Sequence, residues 1–125
     1  MRRIEADAVV NSLMNDKLLG VVNSVPSIRY VVKLDDLLAE RGLTIKKLAE
    51  ITGLRNHTLS DFARGTSVSI TKVHLMAIMV ALRVTKITDI IDIEFSEEYI
   101  NVAEFERDLW VNKGVVPQEF TSIVK

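Results

Sequence analysis

TIKKLAEITGLRNHTLSDFARG, residues 44–65, is the stretch on which the fold turns. It predicts two short helices joined by a tight turn. Thr44 is a good N-cap for the first, which carries Ile45, Leu48 and Ala49. Two helices crossing steeply need a small residue at the contact, and Ala49 supplies it. The turn needs positive φ or close approach, and Gly53 supplies that. Leu54 plugs the turn into the core. Leu59 and Phe62, three apart, anchor the second helix and leave its other face free, and Gly65 stands at its C-terminal end. Each feature alone is weak. Ala49, Gly53, Leu54, Leu59 and Phe62 together, in this order and spacing, form a specific signal.

Working outward, Leu34, Leu37 and Leu38 give a helical stripe closed by Gly42. Downstream, Ser69 or Thr71 can cap a helix through Leu82 that is apolar almost all round, as a central helix buried on several sides is. Met76 and Met79 read there as core filling, and His74 as a partly buried, hydrogen-bonded residue. Ile87, Ile90 and Ile91 suggest one more short helix. Residues 28–32 are rich in β-branched and aromatic types and read as a strand. Residues 91–95 alternate apolar and acidic, as a half-exposed strand does, and can pair with 28–32 in a two-stranded ribbon.

The flanks read as helical. Residues 4–19 carry Val9, Val10, Leu13 and Met14 near helical spacing, with Gly20 as a stop. Asn101 and Glu104 read as the capping pair of a last helix bearing Val102, Phe105, Leu109 and Trp110, closed by Gly114 before Pro117. Phe105 and Trp110 either cover the domain's own core or form a dimer contact. The organisation expected is an all-α chain: an N-terminal helical extension (1–27), a central domain (28–95) and an acidic C-terminal helical extension (96–125).

Composition narrows the class. The 125 residues include no cysteine, so disulfides and thiolate metal sites are excluded. No apolar run reaches the length of a membrane span, and acidic residues soon after Arg2 and Arg3 reject a signal peptide. The location expected is cytoplasmic. His57 and His74, on different helices, make a poor metal site, and no cofactor or metal is expected. No phosphate-cradling glycine loop or hydrolase signature is present, and no acid is coupled to a nucleophile, so no enzyme is expected. Net charge is −1, yet it is unevenly spread. Residues 41–72 hold six basic residues against two acidic ones, whereas residues 89–125 hold nine acids against three bases. A basic middle suits phosphates while an acidic tail points away.

The 44–65 stretch resembles the Cro-like, phage-repressor (XRE-type) helix-turn-helix family, and the resemblance covers roughly residues 34–91. It implies a five-helix repressor-like bundle and a transcriptional regulator that places the helix of residues 56–64 in the major groove of double-stranded DNA. The family's base-reading positions fall on Arg55, Asn56, His57, Ser60 and Asp61, with Arg64 at the helix end. Thr44 and Lys46 fall where the preceding helix meets the backbone. The chemistry suits these roles: Arg grips guanine and Asn adenine in bidentate fashion, while Lys46, Lys47, Thr66, Ser67 and Lys72 are placed to hold phosphates. Three positions depart from the pattern. Ile45 stands where Gln is common, Arg55 where Ser or Thr caps, and Asp61 where the residue is usually basic or neutral. Asn56 can cap in place of Arg55, which would occupy its side chain.

The function expected is a sequence-specific repressor acting as a homodimer. Two other functions use the same scaffold. One is a protein-interaction module with weak or no DNA binding. The other is an antitoxin whose residues 96–125 fold onto a protein partner.

Overall fold

The structure is a computed structural model, and it describes residues 1–5, 16–25, 27–67 and 69–117. The chain divides into two units, Met1–Glu94 and Phe95–Lys125.

In the first unit the order is β1 (Arg2–Glu5), α1 (Asp16–Asn23), β2 (Arg29–Val32), α2 (Leu34–Glu40), α3 (Ile45–Thr52), α4 (Asn56–Arg64), α5 (Lys72–Leu82), a 3₁₀ turn (Ile87–Asp89) and β3 (Ile91–Glu94). The second unit holds α6 (Glu97–Lys113). Leu34, Leu37 and Leu38 of α2 meet Leu48 of α3, Leu59 and Phe62 of α4, and Ile78 and Leu82 of α5 in one buried cluster. Each such side chain contributes about 1.5–3 kcal/mol of burial free energy. The core therefore comes from the apolar stripes that the sequence predicts.

The helix ends are set locally. Thr44 Oγ1 accepts the Lys47 amide at 3.1 Å, and Thr71 Oγ1 accepts that of His74 at 3.1 Å. Of the two predicted caps for α5, Thr71 is the one used. Gly42, Gly53 and Gly65 all take positive φ.

The β structure exceeds the expected ribbon. The sheet has three antiparallel strands in the order β1-β2-β3. Strands 28–32 and 91–95 do pair, with Val32 opposite Ile91 and Tyr30 opposite Ile93. The third strand overlaps the start of the helix expected over residues 4–19: Arg2–Glu5 lies along β2, with Ile4 opposite Tyr30. Long-range partners override the local helical pattern. Arg3 Nε donates to Glu94 Oε1 at 2.7 Å across the sheet, and Arg29 Nε to Glu5 Oε1 at 3.0 Å. Val9, Val10, Leu13 and Met14 of the expected helix, and the tail beyond Pro117, lie outside the described residues. Gly20 does not end the helix it was expected to stop. The helix continues to Asn23, where Ser24 Oγ donates to the Val21 carbonyl at 2.7 Å.

Two further expectations are corrected. The apolar helix α5 is not buried all round: Ile78 and Leu82 are enclosed, but Val73, Met76 and Val80 face outward at 69%, 56% and 67% exposure. Met79 fills core as expected and Met76 does not. The cap of α6 is Ser96, whose hydroxyl accepts the Tyr99 amide at 3.2 Å, so Asn101 and Glu104 lie inside the helix. Gly114 closes α6 at φ 69°, as predicted. Within the second unit Phe105 is 66% exposed and no residue of α6 is buried.

Candidate nucleic-acid interface

Helix α4 divides sharply into two faces. Leu59, Phe62 and Ala63 are buried, and they fix the helix on the bundle from behind. Asn56, His57 and Arg64 are exposed, with Ser60 and Asp61 half-buried between them. These five share one stripe, because positions three, four and eight apart recur on one side of a helix.

The turn before α4 is held by local bonds. The Gly53 amide donates to the Ala49 carbonyl at 2.8 Å with Gly53 at φ 78°. A Cβ placed on Gly53 meets nothing within 4 Å, so positive φ, not close approach, is what calls for glycine there. Thr52 Oγ1 donates to the Leu48 carbonyl at 2.8 Å and accepts the Leu54 amide at 3.2 Å, pinning the turn from inside. Ile45 and Leu54 pack against the core.

The N-cap of α4 is Arg55, and its side chain makes no capping bond. Asn56 is the first helical residue, which corrects the expectation that Asn56 caps. Its carboxamide lies beyond the cap position on the exposed face.

The C-terminal end closes as a Schellman motif: Gly65 N–H reaches the Phe62 carbonyl at 3.0 Å and Thr66 N–H the Asp61 carbonyl at 3.0 Å. Gly65 sits at φ 72° and packs against Ile4. Thr66 Oγ1 also donates to the Asp61 carbonyl, at 3.3 Å.

Charge on this surface is partly neutralised from within. Asp61 Oδ1 accepts from Arg64 Nη2 at 2.7 Å, and Asp61 Oδ2 lies 3.1 Å from His57 Nε2. Lys47 Nζ stands 3.6 Å from Glu50 on α3. Lys46 and Lys72 are exposed. Thr44 is exposed with its oxygen engaged as a cap, which leaves its hydroxyl hydrogen able to donate. Arg41, counted in the basic middle, is instead structural. Its Nε donates to the Leu82 carbonyl at 2.7 Å and joins α2 to the end of α5.

Sequence reasoning missed one grouping. A cleft of about 300 Å³ beside α4 is lined by His57, Asp61, Ser67, Ser69, Thr71 and His74, among others. The two histidines, on different helices as expected, thus line one cleft together with Asp61. Among the described residues no cluster of histidine and acidic side chains forms a metal site. The signal for the Asp61 contacts was present in the sequence, since His57 and Arg64 lie four and three residues from it.

The family model for the Cro/C1-type HTH DNA-binding domain matches residues 33–96, just over half of the chain. No curated protein and no solved structure matches it. Among the described residues no helix is long and apolar enough to cross a membrane.

Proposed function

The chain belongs to the Cro/C1-type helix-turn-helix DNA-binding domain family, and on that premise we propose that it is a sequence-specific transcriptional regulator, a repressor of the phage type that binds its operator as a homodimer. One observation carries the proposal: α4 is fixed by Leu59 and Phe62 and presents an uninterrupted polar stripe of Asn56, His57, Ser60, Asp61 and Arg64. A major groove admits one such helix, and its base edges are read by these side-chain types.

Arg55 and Asn56, at the start of α4, take the base-reading roles. Thr44, Lys46, Lys47, Thr66 and Lys72 hold phosphates and set the register. A homodimer doubles the contact, and its two half-sites lie about one helical turn, ~10 bp, apart.

Titration with random duplex DNA over a range of salt concentrations is the first test. A DNA-binding protein gives an affinity that falls linearly on a log–log plot, with a slope of about −0.9 per phosphate neutralised. Selection from a random oligonucleotide pool then yields a two-fold-related site, and sedimentation of the complex gives two chains per site. Affinity that is negligible at low salt and insensitive to salt would sink the proposal. It would favour the protein-interaction module instead.

A further inference from the structure

Asp61 gathers five polar groups, from four residues, of the surface just described. Its carboxylate holds Arg64 Nη2 at 2.7 Å and His57 Nε2 at 3.1 Å, one on each oxygen. Its backbone carbonyl accepts the amides of Thr66 at 3.0 Å and Ser67 at 3.4 Å, and the Thr66 hydroxyl at 3.3 Å. The Asp61 side chain is only 25% exposed, against 50% for that of Arg64 and 83% for that of His57. Both oxygens are thus engaged, and the acid sits lower on the surface than the groups it holds.

We propose that Asp61 is a positioning residue of the recognition surface: an anion that fixes Arg64 and His57 in one arrangement on α4, and not a reader of bases. The inference rests on the DNA-binding function proposed above. Ion pairs as exposed as these add little to folding stability, so their contribution lies elsewhere. A long arginine side chain loses rotamer freedom when it docks, and ordering it beforehand removes that cost for the one geometry that is ordered. The same anion lowers the pull of the surface on phosphates in general. The first effect favours the matching site over random DNA, and the second weakens binding to both alike. A carboxylate reading cytosine N4 would instead contribute at one base pair only, with no bearing on how Arg64 and His57 are held.

Asp61→Asn tests this, because asparagine keeps the shape and the backbone bonds while removing the charge. The site selected by the parent protein and a random duplex are titrated in parallel over a salt series. The variant is expected to bind random DNA roughly threefold more tightly, with a salt slope steeper by up to about 0.9 as Arg64 becomes available to a phosphate. Its preference for the selected site should fall roughly tenfold, within the range of one good base contact. In a His57→Ala/Arg64→Ala background, the same Asp61→Asn change should leave the preference unaltered, since the groups it positions are gone. That background alone should already show the loss of preference, so the test does not depend on how well Asp61→Asn folds. The inference is overturned if Asp61→Asn keeps the parent's preference and slope, if it loses preference at one base pair while binding random DNA no more tightly, or if its effect on the preference persists in the double-alanine background. Failure of the parent protein itself to bind DNA is a separate result, which removes the DNA-binding function and this inference together.

Discussion

Ile4, near the start of the chain, packs directly on Gly65 at the end of α4. A methyl group on Gly65 would overlap Ile4 Cδ1 and lie 3.2 Å from its Cγ1, with Val32 Cγ2 a further 3.7 Å contact. Strand β1 therefore does more than extend the sheet: it seals the end of the helix that carries the polar stripe. Gly65 is called for by its φ of 72°, and a Cβ there would also push the Ile4 side chain aside.

Gly65→Ala should accordingly destabilise the fold by about 2–5 kcal/mol. Left-handed backbone at a residue with a Cβ accounts for about 1–2 kcal/mol, and overpacking for about 1–3 kcal/mol. Urea denaturation of Gly65→Ala, Ile4→Ala and the double variant checks both contributions. Ile4→Ala makes room for the new methyl, so the double variant should be more stable than the sum of the single losses. Strict additivity would rule out the contact.

Arg41→Ala should lower stability by about 1–2 kcal/mol, since it removes a charged donor from the Leu82 carbonyl at the end of α5. DNA affinity and its salt slope should not change, because the guanidinium is spent within the bundle. A flatter slope in this variant would return Arg41 to the DNA-facing charges.

The Arg3–Glu94 pair predicts a pH effect with a definite sign. The hydrogen bond from Arg3 holds the Glu94 carboxyl below its ordinary range. The unfolded chain therefore takes up the proton first. The stabilisation is fully present above the unfolded carboxyl's range and is lost as pH falls through the folded one. Denaturation across acid pH should show a Glu94→Gln variant less stable than the parent near neutrality, the two converging at the acid end. A constant gap at every pH would exclude the pair as its source.

On the proposed recognition surface, Arg55→Ala should relax base preference at one position, while Lys46→Ala should weaken all sequences evenly and flatten the salt slope by about 0.9. Oligonucleotide selection reads the first and salt titration the second. If both variants bind every sequence as the parent does, these two residues do not contact DNA.

Much of this was legible in the sequence. The pairing of α3 with α4, the Gly53 turn, the Thr44 and Thr71 caps, and the inward Leu59 and Phe62 all depend on residues within two helical turns of one another. Spacing and capping chemistry act over that range. Strand β1 was missed, with Ile4 and Glu5 read as helix, because a four-residue strand has no period of its own and its partners are remote: Arg3 meets Glu94 across 91 positions. In α5 an apolar residue stands on every side, so the pattern could not tell the covered face from the one that carries Val73, Met76 and Val80. Asp61 was read as a base-reading position that departs from the family pattern, and its partners one turn away on either side were not named, because spacing permits such contacts without selecting a rotamer.

The sequence by itself determined a two-helix unit with a buried back and a polar front. Only the tertiary structure decided that a strand from the chain's start closes that unit, that Arg41 serves the bundle, and that Asp61 ties its neighbours together. The physical reason is range: helix periodicity and caps are settled among near neighbours, whereas strand pairing and the choice of a buried face are settled by contacts between distant segments that exist only once the chain has folded.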